Sequence, residues 1–241
     1  MMFQVQNLTI THKKDLRNLI EDFSFVLRPG DKTALIGEEG NGKSTLLKLL
    51  HDERLAEPYV SWTGRIIRNG MRSGYLAQEL GEDVAECQVY EYFSGNPLFY
   101  DWTPGELAGL GRNFGFSADF FYSDQKIATL SGGEKVKLQL ARVLMERPDF
   151  LLLDEPSNDV DLETLGWMEQ FIRHTELPVL FISHDEYLLE RAANSVIHLE
   201  QTMRKTRPRW TVARVAYRQY MEERFHSPQR QEEQARNEKR E

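Results

Sequence analysis

Cysteine is almost missing from this sequence. Cys87 stands alone among 241 residues, so no internal disulfide can form, which fits a reducing compartment. No apolar run approaches the ~18 residues that a membrane helix requires, which excludes a spanning helix in the chain as read. The opening MMFQVQNLTITHKKD has no apolar signal-peptide core. The expected location is therefore cytoplasmic. Internal repeats are also absent, which excludes a repeat array. What is present is ordinary for a globular protein: hydrophobic residues make up 40% and charged residues 28%. The length suits one large domain or two small ones and allows a sizeable core.

The net charge of −8 is unevenly spread. Residues 79–130 hold nine acids and only the two bases Arg112 and Lys126, a local charge of −7. Residues 202–221 hold six bases (Arg204, Lys205, Arg207, Arg209, Arg214 and Arg218) and no acid. This asymmetry says more about partners than the mean does.

Apolar stretches at 3–10 and 20–27 predict two strands, and 32–36 predicts a short buried one. Strands are also expected at 62–68 and 74–78. Residues 86–126, rich in aromatics with Gly and Pro breaks, read as a small helical lobe. Helix and strand signals then alternate: helix 133–146, strand 150–153, helix 162–174, strand 179–183, helix 185–193, strand 196–199. Such alternation predicts an α/β fold with a parallel core sheet. The tail from Ser227 is polar and charged, and reads as a frayed or disordered helix.

The segment GEEGNGKST at 37–45 lies between a predicted strand and a predicted helix. It matches the phosphate-loop pattern G-x-x-x-x-G-K-[ST] in its required context. Gly37, Gly40, Asn41, Gly42, Lys43, Ser44 and Thr45 are the candidate nucleotide cradle. Gly40 and Gly42 let backbone N–H groups converge on phosphate oxygens, and the helix start adds a favourable dipole. Lys43 is expected to bridge the β- and γ-phosphates, and Ser44 to ligate Mg²⁺. Glu38 and Glu39 place negative charge beside this loop, so their side chains are expected to point outward.

FLLLDEP at 150–156 is an apolar strand ending in two carboxylates. Asp154 then sits at the strand's C-terminal edge, where it can hold Mg²⁺, and Glu155 can orient and deprotonate an attacking water. Alone, an Asp-Glu pair there is as readily a loop cap; the upstream phosphate loop favours the catalytic reading. At 130–135, LSGGEK precedes an amphipathic helix with Ser131 as N-cap candidate and Gly132 and Gly133 leaving backbone donors open, a second anion site.

Taken together these segments resemble the ATPase domains of the ABC family, in that family's order: phosphate loop 37–45, Gln78, signature 130–135, carboxylates 154–155, Asp161 and His184. The match spans about residues 1–200. It implies a P-loop fold of ABC type, with a mixed core sheet, an antiparallel β subdomain and a helical signature subdomain at about 79–146. It further implies an ABC domain at 1–221 and a polar linker start, helical or disordered, at 222–241. In the family two domains face head to tail, so Ser131, Gly132, Gly133 and Glu134 would serve ATP held by a partner domain. By the same resemblance Asp161 marks the D-loop, His184 would contact the γ-phosphate, and Gln78 would sense Mg²⁺ and water. Lys43, Glu155 and His184 form the implied catalytic set, and Ser44, Gln78 and Asp154 the implied Mg²⁺ set. Family members usually stack an aromatic ring on adenine near the first strand; His12 occupies that region here, as a base contact or as a surface histidine.

Details resemble the ABC-F branch, whose members lack membrane domains and act on the ribosome. LSGGEK, the run DEPSNDVDLET at 154–164, SHDEYLLERAAN at 183–194, Gln78-Glu79 and the tail from Val215 all fit that branch. Asp159 and Val160 depart from the branch's usual His and Leu. Only 53 positions separate Gln78 from Ser131, little room for the extra arm of some members. The resemblance also implies a second ABC domain, in a longer parent chain or in a homodimer. Three functions stay open: an ATP-driven clamp on the ribosome, the motor subunit of a membrane permease, or a non-catalytic nucleotide-dependent module. The aromatic lobe, carrying −7, reads as core and protein contact rather than a nucleic-acid surface. The basic stretch 202–221 with Trp210 reads either as an rRNA-facing segment or as a solvated hairpin.

Overall fold

Alternation of apolar side chains builds the first sheet. In β1 (Phe3–His12), Phe3 and Val5 face inward, a bulge at Asn7 (φ 49°) shifts the phase, and Leu8 and Ile10 continue the buried row. β1 pairs antiparallel with β2 (Asn18–Leu27) and β4 (Val60–Ile67) in the order β2-β1-β4. The structure, a computed structural model, describes residues 2–202 and 207–225.

The second sheet contains β3 (Lys32–Gly37), β5 (Ser73–Leu76), β6 (Phe150–Asp154), β7 (Val179–Ile182), β8 (Ser195–Thr202) and β9 (Arg207–Ala213). Its order is β5-β6-β7-β3-β8-β9, parallel throughout except for β9. The expected parallel core is therefore present, with one antiparallel edge strand that makes the sheet mixed. Its central strands are apolar on both faces because both are covered. Phe150 and Leu152 of β6 join the core beneath the three-stranded sheet, while Leu151 and Leu153 join the core beneath the helical lobe.

The helices are α1 (Lys43–His51), α2 (Glu53–Ala56), α3 (Glu82–Ala85), α4 (Val89–Ser94), α5 (Pro104–Phe114), α6 (Gly132–Met145), α7 (Leu162–His174) and α8 (Glu186–Ala192). Each expected helix is present to within a residue or two. In the lobe, Phe93, Phe99, Phe114 and Phe121 are buried, so the core reading holds for these four, while Phe116 and Phe120 are half-buried against them. Tyr90, Tyr100 and Tyr122 of the same lobe remain exposed.

Of the basic stretch, Arg207–Ala213 form β9, which pairs antiparallel with β8 at the sheet edge. Trp210 packs edge-on against Phe23 with ring centroids 5.3 Å apart and donates its indole N–H to the Glu21 carbonyl at 2.9 Å. The edge strand turns this apolar side chain inward against β2, where the ring is half-buried. Arg214 pairs with Asp31 at 3.3 Å and Arg218 with Glu222 at 3.2 Å, while Arg204 and Lys205 lie outside the described residues.

Residues 217–225 are helical and cross the expected boundary at 221. Tyr220 is buried in the lobe-side core, and its hydroxyl lies 2.9 Å from His198 Nδ1 on β8. Arg224 clasps the Glu200 carboxylate of the same strand. The polar tail expected from Ser227 lies outside the described residues. No helix among the described residues is long and apolar enough to cross a membrane.

Candidate functional site

The turn from β3 into α1 sets the geometry. Gly42 caps α1 with φ 86°, a left-handed conformation that a side chain would strain. No side chain caps this helix and no acid occupies its first turn. Its first N–H groups are therefore open to an anion, and the helix dipole favours one.

Four hydrogen bonds brace the loop. Arg17 donates to the Gly40 carbonyl at 3.2 Å, and Asn41 Nδ2 donates to the Leu199 carbonyl at 3.1 Å. Lys43 Nζ donates to the carbonyls of Gly37 and Glu38 at 2.7 and 3.1 Å. Burial lowers the proton affinity of the Lys43 ammonium, while Glu155, Glu39 and Asp154 oppose that effect.

A cleft of about 540 Å³ opens over this turn. Gly40, Gly42, Lys43, Ser44, Thr45, Gln78, Glu155 and His184 line it, as expected, and Glu39 and Asn158 join them. Asp154 stands behind, fully buried at the end of β6. Its Oδ1 accepts from Ser44 Oγ at 2.8 Å and its Oδ2 from the Tyr75 hydroxyl at 3.0 Å. Burial and the Asp154 charge together push the Tyr75 phenol up, so it stays a donor.

Glu155 follows in a left-handed conformation (φ 52°), an uncommon state for a residue with a side chain. Its N–H donates to Ile182 O of β7 at 3.2 Å, so the strained residue is tied to the neighbouring strand. Its Oε1 lies 3.1 Å from His184 Nε2, while its Oε2 is buried without a hydrogen-bond partner among the described residues. Burial raises the proton affinity of this carboxylate; His184 and Lys43 pull it back down. An orphaned carboxylate oxygen beside an anion cradle is what a water-activating base requires.

These residues also suit a magnesium ion. Ser44 Oγ and Asp154 Oδ1 are hard oxygen donors on one spot. Such a site would fill its remaining positions with water and phosphate oxygens, as magnesium sites commonly do.

Not every expected residue joins the cleft. His12 bonds Asp15 Oδ1 at 2.8 Å in the β1–β2 turn and does not line the opening. That contact engages the Nδ1 edge of the ring and leaves its faces unengaged by Asp15. Asn41 is buried and turned toward β8, so it shapes the loop from beneath. Gly37 likewise sits against the Leu199 backbone.

The signature lies apart from the cleft. Ser131 caps α6: its Oγ accepts from Glu134 N at 3.2 Å, and Glu134 Oε2 accepts from Ser131 N at 2.8 Å. A side-chain carbon at Gly132 would overlap the Asp159 carbonyl, and one at Gly133 the Thr164 side chain. Asp161 caps α7 through Thr164 N at 2.8 Å. The signature and the D-loop segment are therefore packed as one unit. Tyr75 and Arg17 escaped the sequence reading, because their partners lie 79 and 23 residues away and no motif marks them.

A sequence model of the family described as ABC transporter matches residues 20–158. The ribosome protection protein VmlR of Bacillus subtilis is 34% identical over 192 residues, covering 80% of this chain and 33% of the relative. The energy-dependent translational throttle protein EttA of Haemophilus influenzae is 32% identical over 225 residues, covering 77% of this chain and 39% of the relative. The chain thus spans about a third of the length of these curated relatives. Among solved structures, the ATP-binding subunit of an ABC transporter superposes with a TM-score of 0.64 at 22% identity, over 82% of this chain and 85% of that one. A nucleotide-free ATP-binding cassette from an ABC transporter gives 0.63 at 19% identity, over 82% and 87%.

Proposed function

This chain belongs to the ABC transporter family of ATPase domains, and on that premise we propose that it binds Mg-ATP in the described cleft and hydrolyses it when a second ABC domain closes over it. The observation that carries the reading is the convergence of Lys43, the Ser44–Asp154 pair, Glu155 and His184 on one opening. The open N–H groups at the start of α1 cup the phosphates. Lys43 exchanges two loop carbonyls for phosphate oxygens, a stronger charge-assisted pairing. Ser44 and Asp154 would hold Mg²⁺, with Gln78 lining the same cleft, and the ion would neutralise phosphate charge when bound. His184 fixes one oxygen of Glu155, and the free Oε2 takes the proton of the attacking water. His184 also stays within reach of the terminal phosphate.

The second domain supplies what this cleft lacks. Ser131, Gly132, Gly133 and Glu134 serve a partner's nucleotide, as a partner's equivalents serve this one. Leu162, 86% exposed beside the D-loop cap Asp161, is an apolar surface suited to being covered in such a pairing. The proposed assembly is a cytoplasmic ATP-driven clamp whose client is the ribosome, as the names of VmlR and EttA suggest for those relatives. A Glu155→Gln form trapped with ATP should co-sediment with ribosomes. Co-purification with a membrane permease instead would support the motor reading that the similar transporter cassettes favour. Steady ATP turnover abolished by Glu155→Gln would exclude a module without catalysis.

A further inference from the structure

One surface of the helical lobe has no part in the nucleotide chemistry. Tyr90, Tyr100 and Tyr122 are 36%, 68% and 49% exposed and gather around the buried ring of Phe99. Tyr90 stacks on Tyr122 with centroids 6.3 Å apart, and Phe99 meets Tyr100 and Tyr122 edge-on at 5.6 and 5.8 Å. Single exposed aromatics are common, but a contiguous ring cluster on a surface marks contact with something else. Tyrosine is also the side chain that binding surfaces favour, because it offers area at low entropic cost.

Acidic residues flank these tyrosines in the sequence, although Asp101 also shares a pocket with Arg72 and Arg147. Asp101 follows Tyr100, Asp119 lies one 3₁₀ turn before Tyr122, and Asp124 lies just after it. All three are exposed, and none has an ion-pair partner among the described residues. Of the two bases in this region, Lys126 is already paired with Glu86 at 3.1 Å. Electron-rich ring faces beside unpaired carboxylates suit a guanidinium, which stacks on the ring and hydrogen-bonds carboxylates with its edge. The same charge repels a phosphate backbone.

We propose that the face formed by Tyr90, Tyr100 and Tyr122 docks an arginine-rich segment of another protein. This inference does not depend on the nucleotide reading, and its test needs no ATP. The probe is a short labelled peptide of alternating Arg and Ser, titrated by fluorescence anisotropy against the full chain. Binding should weaken roughly tenfold in Tyr100→Ala/Tyr122→Ala, the loss of a pair of cation–ring contacts. An alternating Lys peptide should bind more weakly than the Arg one. Tyr100→Lys should abolish binding while thermal unfolding stays unchanged, which separates lost contact from lost fold. Equal affinity in wild type and the double Tyr variant would overturn the proposal. So would unchanged affinity in Asp101→Asn/Asp124→Asn, or tighter binding of a labelled poly-uridine strand than of the peptide.

Discussion

Two helix starts in this protein carry glycine-rich motifs, and they are built in opposite ways. α1 begins at Gly42 with no side-chain cap, no acid in its first turn and a lysine as its first residue. α6 begins at Ser131 with a complete capping box and with Glu134 in its first turn. The first leaves its N–H groups free and adds a cation; the second satisfies its own amides and adds an anion. An isolated chain can therefore hold an anion at α1 by its own resources. At α6 the backbone donors are partly spent, and what remains for a visiting phosphate is the Ser131 hydroxyl proton and the amides not engaged by the box. On the proposed reading, the first helix start is a binding site, and the second is half of one that takes a ligand presented from elsewhere.

Four substitutions test that contrast. The largest effect is expected for Glu155→Gln, which keeps shape but removes the base: steady-state phosphate release should fall by about 100-fold or more while ATP affinity persists. The same variant should unfold at higher temperature near neutral pH, because it removes a buried charge. The sign follows from the raised proton affinity of Glu155. Below the ordinary glutamate range both states are protonated and the variant gains nothing. As pH rises through the native value, the wild type loses stability, so the difference in melting temperature should grow toward neutrality. Melting curves that shift in parallel at all pH values would remove this explanation.

Next comes Lys43→Ala. Calorimetry should show ATP binding weakened roughly ten- to a hundredfold, the scale of a lost charge-assisted hydrogen bond. Ser131→Ala should do the reverse at the other helix: ATP affinity of the single chain unchanged, stability down by about 1 kcal/mol from the lost cap, and turnover reduced in the paired state. If Ser131→Ala weakened ATP binding as much as Lys43→Ala, the contrast between the two helix starts would fail. The smallest effect belongs to Glu39→Asn, which removes an acid from the cleft wall. ATP should bind about two- to fivefold tighter, with the gain shrinking as salt rises.

Most of the cleft was readable in the sequence because each part is local. The phosphate loop, the Asp154–Glu155 strand end and His184 are contiguous motifs, and parallel strands deliver their C-terminal ends to one edge of the sheet. The strands themselves were legible as apolar runs, since both faces of the central sheet are covered. What escaped depends on distant pairing. Tyr75 matters only because β5 lies beside β6, and Arg17 only because the β1–β2 turn reaches the phosphate loop. His12 lies in the expected region, with its Nδ1 edge bonded to the nearby Asp15. Arg207 to Ala213 hid as a strand because edge strands tolerate Arg and Pro and show a weak alternation. In the lobe, composition could not separate the phenylalanines that fill its core from the tyrosines that face outward; the hydroxyl is what distinguishes them.

The strand β8 does two jobs within a single peptide step. The carbonyl of Leu199 receives Asn41 from under the phosphate loop, while its immediate neighbours His198 and Glu200 grip Tyr220 and Arg224 of the helix at 217–225. The loop and that helix are thus fastened to the same short rod. A sub-ångström shift of the loop must either lengthen the Asn41 contact or carry the far-side helix along, which gives the site a mechanical handle on the opposite face of the sheet.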